Sequence, residues 1–447
     1  MWGVLLMKKK KRLSPLIVIV LSFLGIIVFG VILLKLPFAV QSRESLGWAD
    51  AIFLATSAVC VTGLSTIANL AATLSVFGKV VLALLIQVGG LGIVTIAIYV
   101  LVILGIKIGV TERYVLKEAL NQHTIAGMVR LVRSIIFTTL IIESVGMVIN
   151  FIVFIQDYSF WSALGISAFH SISSFNNAGF DILGDTSLQA YSGNILLNIN
   201  TMVQIIIGGI GFIVIQDLLK KRSWKGLSLY SKIVLKTTLF LIVAGTLLIK
   251  IMEGGNATWL QALFQSVTTR TAGFSTIDMN LFSYTTLTVL MVFMFIGASP
   301  NSTGGGIKTT TFYVIFRATW SFIRGKPTII KNRKLDDDNR AKAYTLLLLA
   351  LSSTFVIFII VASIEMHNTA YDMTFMKVLF ETVSAFGTVG LSMGITPYLM
   401  PSSKLVLSVL MFLGRLGPIT IFGIVNTNWG HPYISTVDYP LEKIIIG

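Results

Sequence analysis

The chain has 447 residues, of which 55% are hydrophobic and only 12% are charged, a composition that excludes an ordinary soluble domain and predicts several membrane-spanning segments. The formal net charge of +15 does not indicate a nucleic-acid-binding protein, because the basic residues lie between the apolar segments rather than on one exposed face interleaved with aromatic residues. The single cysteine, Cys60, excludes an internal disulfide framework.

Eight long apolar segments are predicted to cross the membrane. The first follows the basic stretch KKKKR at residues 8–12. Because this segment is of spanning length and lacks a small-residue cleavage site, we interpret it as a retained helix rather than a signal peptide. The eight segments lie at residues 13–36, 75–104, 130–156, 192–219, 231–252, 284–318, 343–365 and 402–425.

The distribution of Lys and Arg predicts the orientation of these spans. Basic residues concentrate at residues 8–12, 107–133, 220–236 and 317–342, which all fall on one side if every segment crosses. The other side has few basic residues and carries these acidic ones: Asp157, Asp181, Asp185, Glu253 and Asp278. We therefore expect a multi-pass protein of the cell (plasma) membrane with both termini in the cytoplasm.

One short pattern occurs four times, each time between two predicted spans. Each copy has a Phe, a hydroxyl residue four positions later, and then a Gly followed by Leu or Phe. The copies are FLATSAVCVTGL at 53–64, FHSISSFNNAGF at 169–180, FQSVTTRTAGF at 264–274 and FETVSAFGTVGL at 380–391. At about a dozen residues a copy is too short to cross a bilayer, so each is predicted to be a half-helix that enters and leaves on the same side.

These patterns predict an all-α polytopic membrane protein. Its eight transmembrane helices would form four parallel span–pore helix–filter loop–span repeats around one pseudo-fourfold pore. Non-helical backbone at membrane depth is tolerated only where protein buries it or where it lines a watery cavity, and four loops gathered at one axis satisfy that condition. The predicted repeats are residues 1–110, 111–225, 226–325 and 326–447.

The four glycine loops are predicted to bind a dehydrated monovalent cation. Backbone carbonyls can replace the hydration shell of such an ion, and the C-terminal ends of the half-helices add partial negative charge. Glycine is required because carbonyls that all face one axis need positive φ angles, which a Cβ penalises. The predicted potassium-binding residues are Val61, Thr62, Gly63, Leu64, Asn177, Ala178, Gly179, Phe180, Thr271, Ala272, Gly273, Phe274, Thr388, Val389, Gly390 and Leu391.

The sixth predicted span is interrupted by IGASPNSTGGGIKTTT at residues 296–311. Proline removes a backbone donor and three consecutive glycines weaken helix propensity, so a break is predicted here. We interpret it as an intramembrane gate loop containing Gly304, Gly305, Gly306 and Lys308, the alternative being a packing kink. Milder glycine groups in the second, fourth and eighth spans are interpreted as sites of close helix packing.

Charged residues at membrane depth are costly, so each requires an explanation. Arg415 in the eighth span either faces the pore or pairs with an acid. Arg270 and Glu381 are expected to form a buried pair that supports the filter rather than to contact the ion. Glu143 is either a proton or sodium site or a satisfied structural acid. His170 has no second ligand at metal-binding spacing, so no metal site beyond monovalent K⁺ is predicted.

The four motif copies, the eight spans and the basic N-terminus resemble the superfamily of potassium transporters that includes Trk, Ktr and plant HKT proteins, most closely the Ktr-type membrane subunits. The resemblance covers nearly the whole chain. It implies potassium uptake through a pseudo-tetrameric pore, a homodimer, and regulation by a cytoplasmic ring of nucleotide-binding, KtrA-like subunits. It also implies that residues 296–311 obstruct the cavity beneath the filter and that Arg415 faces the pore there, so we count Arg415 among the predicted gate residues. In this superfamily a glycine at each filter position goes with potassium selectivity, and all four positions here are glycine.

Two alternatives stay open beside a gated potassium translocator. An alternating-access secondary transporter coupled to Na⁺ or H⁺ usually shows inverted repeats and midplane carboxylates, whereas these repeats are parallel and such acids are scarce. A membrane-embedded enzyme would need a nucleophile with a base or a metal cluster, and no HExxH, GxSxG or Walker sequence is present. We predict no catalytic residue and no cofactor, with K⁺ as the transported ion; the residues leave open whether Na⁺ is also coupled.

Overall fold

The computed structural model describes residues 14–106, 108–120, 127–418 and 420, with only the backbone of Thr111, and the statements below concern that part of the chain. The basic segment at residues 8–12, Lys107 and the predicted eighth span beyond residue 420 lie outside it.

The described residues form seventeen α-helices and one short antiparallel pair of strands. The helices are α1 (Pro15–Lys35), α2 (Trp48–Val59), α3 (Leu70–Thr73), α4 (Val76–Leu91), α5 (Ile93–Ile103), α6 (Val110–Ala119), α7 (Met128–Phe154), α8 (Phe160–Phe175), α9 (Ile195–Ile210), α10 (Phe212–Lys221), α11 (Leu229–Glu253), α12 (Trp259–Thr268), α13 (Tyr284–Phe295), α14 (Thr309–Ile323), α15 (Asp337–Glu365), α16 (Phe375–Gly387) and α17 (Pro401–Leu416). The strands are β1 (Ile329–Ile330) and β2 (Arg333–Lys334).

Four of these helices, α1, α7, α11 and α15, are each long and apolar enough to cross a membrane. The pairs α4 with α5 and α9 with α10 meet the same criterion together but bend by 98° at a short break. Counting each bent pair as one span gives up to six spans within the described residues. The remaining predicted spans correspond to α13 with α14, which a loop separates, and to α17, so the eight-span arrangement stays a prediction.

Three of the helices that follow the glycine loops begin after an N-cap residue whose side chain accepts a hydrogen bond from a free N–H group of the first turn. The N-cap side chains of α4, α9 and α13 are Ser75, Asn194 and Ser283, and each accepts a hydrogen bond from the amide three residues later. Such caps satisfy orphan donors at a helix N-terminus. Helix α17 begins instead with Pro401, whose missing N–H costs nothing in the first turn.

The second, fourth and eighth predicted spans are broken where continuous helices were expected. Helices α4, α9 and α17 end at glycines with φ of 83°, 92° and 84°, a region that disfavours other residues: Gly92, Gly211 and Gly417. The segments predicted to span at residues 75–104 and 192–219 are therefore each a pair of helices with a sharp bend between them. The sequence does not reveal the break, because the apolar run continues through it while the helix resumes at once in a new direction.

Close packing, predicted for the same glycine groups, is present one turn earlier. A Cβ at these positions would collide with a main-chain carbonyl oxygen at the end of a neighbouring half-helix, and the pairs are Gly89 with Val59, Gly208 with Phe175, and Gly414 with Phe386. The half-helix ends and the helices behind them are therefore in backbone contact.

The helices close into a ring. Helix α4 packs on α8, α9 packs on α12, α13 packs on α16, and α17 packs back on α2. The last contact includes an ion pair that the sequence analysis did not predict, in which Lys404 Nζ lies 2.8 Å from Asp50 Oδ1. The Lys404 side chain is 10% exposed and that of Asp50 is 32% exposed. The ring order brings the four half-helices around one centre.

Candidate ion-binding site

The half-helices α2, α8, α12 and α16 end next to the four predicted ion-binding loops. In each case the amide of the second loop residue donates to the main-chain carbonyl of the hydroxyl residue in the motif. These bonds join Thr62 to Ser57 at 2.7 Å, Ala178 to Ser173 at 2.8 Å, Ala272 to Thr268 at 2.9 Å, and Val389 to Ser384 at 2.9 Å. The helix C-termini, which carry partial negative charge, therefore adjoin the loops.

The backbone of the loops alternates between ordinary and left-handed conformations. The first residue has positive φ in every loop: Val61 at 57°, Asn177 at 58°, Thr271 at 70° and Thr388 at 49°. The glycine two positions later does as well, with φ of 91°, 69°, 84° and 95° in chain order. Positive φ is a strained conformation for a β-branched residue such as Val61, and strain of this kind clusters at functional sites.

The four loops meet at one point in chain order. A Cβ on Gly179 would lie 2.5 Å from the Ala272 carbonyl oxygen, and one on Gly273 would lie 2.5 Å from that of Val389. Equivalent collisions would join Gly63 to the Ala178 carbonyl and Gly390 to the Thr62 carbonyl. Each glycine thus packs against the loop of the next repeat, and the fourth returns to the first. The structure brings the predicted loop residues together in a ring.

A cavity of about 400 Å³ lies against this ring and is lined by all four glycines. Its wall also includes three carboxylates, those of Asp181, Asp185 and Asp278. The carboxyl of Asp181 accepts a hydrogen bond from the amide of Leu183 at 3.3 Å. Burial raises the pKa of Asp181 to about 6. The acidic lining would raise the local concentration of cations at the mouth of the ring.

The predicted gate loop lies on the other side of the same residues. The chain between Phe295 and Thr309 is not α-helical, which agrees with the predicted break. A Cβ on Gly304 would collide with the Thr271 side-chain hydroxyl, and one on Gly305 with that of Thr388. The glycines thus allow the loop to contact the first residues of two ion-binding loops directly.

Main-chain hydrogen bonds fix this loop to the helices around it. The amide of Ser299 donates to the Gly209 carbonyl at 3.0 Å, and the amide of Phe212 donates to the Asn301 carbonyl at 2.9 Å. On the opposite side the amide of Gly306 donates to Gly414 at 3.2 Å. The loop therefore takes partners from the ends of α9 and α17 and the start of α10.

Both predicted basic gate residues bind backbone carbonyls. The Arg415 guanidinium donates to the carbonyls of Thr303 and Gly89, and also to Gly90 at 3.3 Å. Lys308 Nζ donates to the Gly304 carbonyl at 2.7 Å. Because α4 ends at a break, its last carbonyls lack helical donors. The Arg415 side chain provides the missing N–H donors. The alternative that Arg415 pairs with an acid does not hold within the described residues.

The expected pair of Arg270 with Glu381 is absent from the ion pairs of the described residues. Glu381 instead accepts a hydrogen bond from the Thr396 hydroxyl in its own repeat. Arg270 occupies the position just before the third loop, and the residue there differs in every repeat: Cys60, Asn176, Arg270 and Gly387. The prediction failed because residue types at half-helix ends do not specify which neighbour a side chain reaches.

Other polar residues of the sequence analysis have neutral partners. His170 Nε2 lies 2.9 Å from the Thr201 hydroxyl, and its ring centroid lies 4.9 Å from that of Phe274. Glu143 accepts hydrogen bonds from the side-chain amides of Gln87 and Asn176. The described residues contain no group of three or more His, Cys, Asp or Glu side chains placed to hold a metal ion.

Comparisons with known proteins agree on one class. The family model described as "TrkH: Cation transport protein" matches residues 17–426. The chain is 38% identical to "Ktr system potassium uptake protein B" of Bacillus subtilis (strain 168), with 98% of this chain and 97% of the relative covered. It is also 38% identical to "Potassium/sodium uptake protein NtpJ" of Enterococcus hirae, covering 99% and 100%.

A solved structure shares the fold. The potassium transporter TrkH from Vibrio parahaemolyticus superposes with a TM-score of 0.72 at 19% sequence identity, covering 94% of this chain and 87% of that one. At this identity the match concerns the architecture alone.

The acidic cavity predicts a pH dependence of cation affinity. The Asp181 carboxyl is charged above its pKa of about 6 and loses that charge as the pH falls. Lowering the pH from about 7.5 to 5 should weaken the affinity for rubidium about threefold, which is the contribution of one charge across a few ångströms of water. In Asp181→Asn the affinity at the higher pH should be equally weak and the pH dependence smaller.

Rubidium binding to the purified chain measures both quantities. Asp185 and Asp278 line the same cavity, so Asp185→Asn and Asp278→Asn serve as matched controls that retain the Asp181 titration. An unaltered pH profile in Asp181→Asn would contradict the assignment.

Proposed function

Because the chain belongs to the TrkH family of cation transport proteins, we propose that it carries potassium ions across the cell membrane through the ring of four glycine loops. The observation that supports this most strongly is the cyclic packing of Gly63, Gly179, Gly273 and Gly390, each against a carbonyl of the next loop. Relatives at 38% identity are named as potassium or potassium/sodium uptake proteins.

We propose that the loops coordinate the ion through main-chain carbonyls, from Val61–Leu64, Asn177–Phe180, Thr271–Phe274 and Thr388–Leu391. The alternating φ angles turn successive carbonyls in ways that a uniform strand or helix cannot. Carbonyls arranged in rings replace water around K⁺. The half-helix C-termini add negative potential at the same point, which favours a cation without a buried carboxylate.

The proposed architecture has four repeats, residues 1–110, 111–225, 226–325 and 326–447, and eight spans. Four unbroken apolar helices, two bent pairs and the ring order of the packing support it. The basic segments between spans support cytoplasmic termini by the positive-inside rule, and in this orientation the acidic cavity would face outward and the gate loop inward.

In this proposal the loop at residues 296–311 is the gate. Its support is steric, since Gly304 and Gly305 leave no space between the loop and the threonines of two ion-binding loops. Lys308 and Arg415 place positive charge beneath the ring, which opposes a cation until the loop moves. Conduction would therefore require that the carbonyl contacts of Arg415 be released.

The proposal extends to partners. The chain would form a homodimer, and a cytoplasmic ring of nucleotide-binding, KtrA-like subunits would dock on its basic loops and regulate the flux. The naming of a relative as part of a Ktr system supports an association of this kind. Sodium coupling is a separate possibility that the potassium/sodium relative raises. Alternating access is the less favoured mechanism, because parallel repeats that share one ring do not match inverted-repeat transporters.

Rubidium uptake into liposomes that contain this chain tests the function. Uptake should be inhibited by external K⁺ and not by equal Na⁺, because filters made of backbone-carbonyl rings in potassium channels select K⁺ over Na⁺. If the chain alone is inactive, the cytoplasmic nucleotide-binding partner is added. Inactivity in its presence as well would contradict the proposal.

Gly273→Ser tests the ring. A side chain at φ 84° is strained and would overlap the Val389 carbonyl, so the third and fourth loops must shift. We expect the preference of uptake for K⁺ over Na⁺ to fall about tenfold while most of the protein folds. Gly255→Ser is the matched control, because no heavy atom lies within 4 Å of a Cβ there. Equal selectivity in both variants would show that Gly273 is not part of the ion site.

Deletion of Gly304, Gly305 and Gly306 tests the gate. Removing the residues that touch Thr271 and Thr388 should raise the rubidium flux several-fold, because the obstruction beneath the ring becomes shorter. Selectivity for K⁺ over Na⁺ is measured in parallel and should be retained, since the ring itself is intact. An unchanged flux in a correctly folded variant would exclude this loop as the gate.

A further inference from the structure

Glu143 is a carboxylic acid in the middle of α7, and it is only 7% exposed. Within the described residues it forms no ion pair. Each of its two carboxyl oxygens accepts a hydrogen bond from a neutral side chain. Asn176 Nδ2 donates to Oε1 at 3.0 Å, and Gln87 Nε2 donates to Oε2 at 3.2 Å. A buried acid is costly, so an arrangement with two matched donors requires a reason.

The two donors come from different parts of the ring. Gln87 belongs to α4, in the first predicted repeat, and Asn176 is the C-cap of α8 in the second. The two hydrogens of Asn176 Nδ2 are shared among the carboxyl oxygen Oε1, the Gln87 side-chain oxygen at 2.8 Å and the Ile172 carbonyl at 2.8 Å. We call Glu143, Gln87 and Asn176 the carboxyl–amide clamp. It joins three helices by side-chain bonds alone.

The clamp is adjacent to the ion-binding ring. Asn176 directly precedes Asn177, the first residue of the second loop, whose φ is 58°. The Asn176 side chain is also confined from behind, because a Cβ on Gly90 would collide with its Oδ1. A shift of Glu143 would therefore be transmitted by Asn176 to the start of the second loop.

The third predicted repeat has an isoleucine, Ile242, at the position that corresponds to Glu143. The hydroxyl of Ser171 donates to the main-chain carbonyl of Glu143 at 2.7 Å, and the hydroxyl of Ser266 donates to that of Ile242 at 2.7 Å. The long helix and the half-helix are thus held together in the same way in both repeats. An isoleucine suffices at this position in the third repeat, so the Glu143 side chain serves something other than this contact.

We propose that Glu143 is a positioning residue for ion selectivity, which sets the second loop of the ring through Asn176 and aligns it with the first repeat through Gln87. The inference rests on the proposed function. Its immediate target is the contact between Gly63 and the Ala178 carbonyl, where the first and second loops meet. A carboxylate suits the task because both of its oxygens accept, whereas an amide would oppose one of the two donors with a donor of its own.

Calorimetric titration of the purified full-length chain with KCl and with NaCl tests this inference without dependence on the gate. Glu143→Gln keeps the volume and removes one acceptor. We expect K⁺ binding to weaken by about fivefold, as for other network residues that modulate a distant site, with Na⁺ binding little changed. Glu253→Gln is the matched control. That buried carboxyl accepts from the amide of Ser283 at 3.0 Å, at the start of α13.

The control separates positioning from stability. Both substitutions should lower the thermal midpoint, but only Glu143→Gln should change the ratio of K⁺ to Na⁺ affinity. If both leave the ratio as in the wild type, the inference is wrong while the proposed function stands. If the wild-type chain does not prefer K⁺, both fail together.

Gln87→Met serves if Glu143→Gln does not fold. This variant retains the Glu143 carboxyl and its bond with Asn176, and it removes only the bonds made by Gln87 in the first repeat. A smaller loss of K⁺ preference is therefore expected. In the double variant Glu143→Gln with Gln87→Met, the loss should be smaller than the sum of the two single losses, because both changes act through Asn176. An additive loss, or an unaltered ratio in folded Gln87→Met, would overturn the clamp.

Discussion

Non-helical backbone inside a membrane must find its hydrogen-bond partners within the protein, and the centre of this structure depends on that requirement. Two kinds of irregular chain meet there, the four glycine loops and the loop between α13 and α14. Amides of this loop donate hydrogen bonds to carbonyls near the ends of α9 and α17. The Arg415 side chain donates to a carbonyl that the break in α4 leaves without a helical partner. Backbone groups that one break leaves without helical partners are thus hydrogen-bonded by a neighbouring segment.

This shared bonding explains why the glycine loops and the loop between α13 and α14 are in direct contact. Gly304 and Gly305 allow the loop backbone to reach Thr271 and Thr388, which belong to two of the glycine loops. Movement of the loop would change the surroundings of those residues as well as the width of the path. In the proposed mechanism, occupancy of the ring by an ion and the position of the loop are therefore coupled.

The sequence predicted the parts of the site that repeat or that break a strong rule. Four copies of one motif located the ring, and Pro300 with three glycines in an apolar run located the loop. The 98° bends at Gly92 and Gly211 were missed, because a glycine group in an apolar run also suits a straight, closely packed helix. Side-chain partners were hardest: Gln87 and Glu143 are 56 residues apart, and such pairing leaves no local pattern.

A single polypeptide that closes its own ring differs from an assembly of four identical subunits in one respect. The residues just before the four loops are Cys60, Asn176, Arg270 and Gly387, so the quadrants of the ring have different supports. In a homotetramer any substitution is imposed four times, whereas here one codon alters one quarter of the ring. Selection can therefore adjust such a ring in small steps, and its fourfold symmetry is free to become approximate.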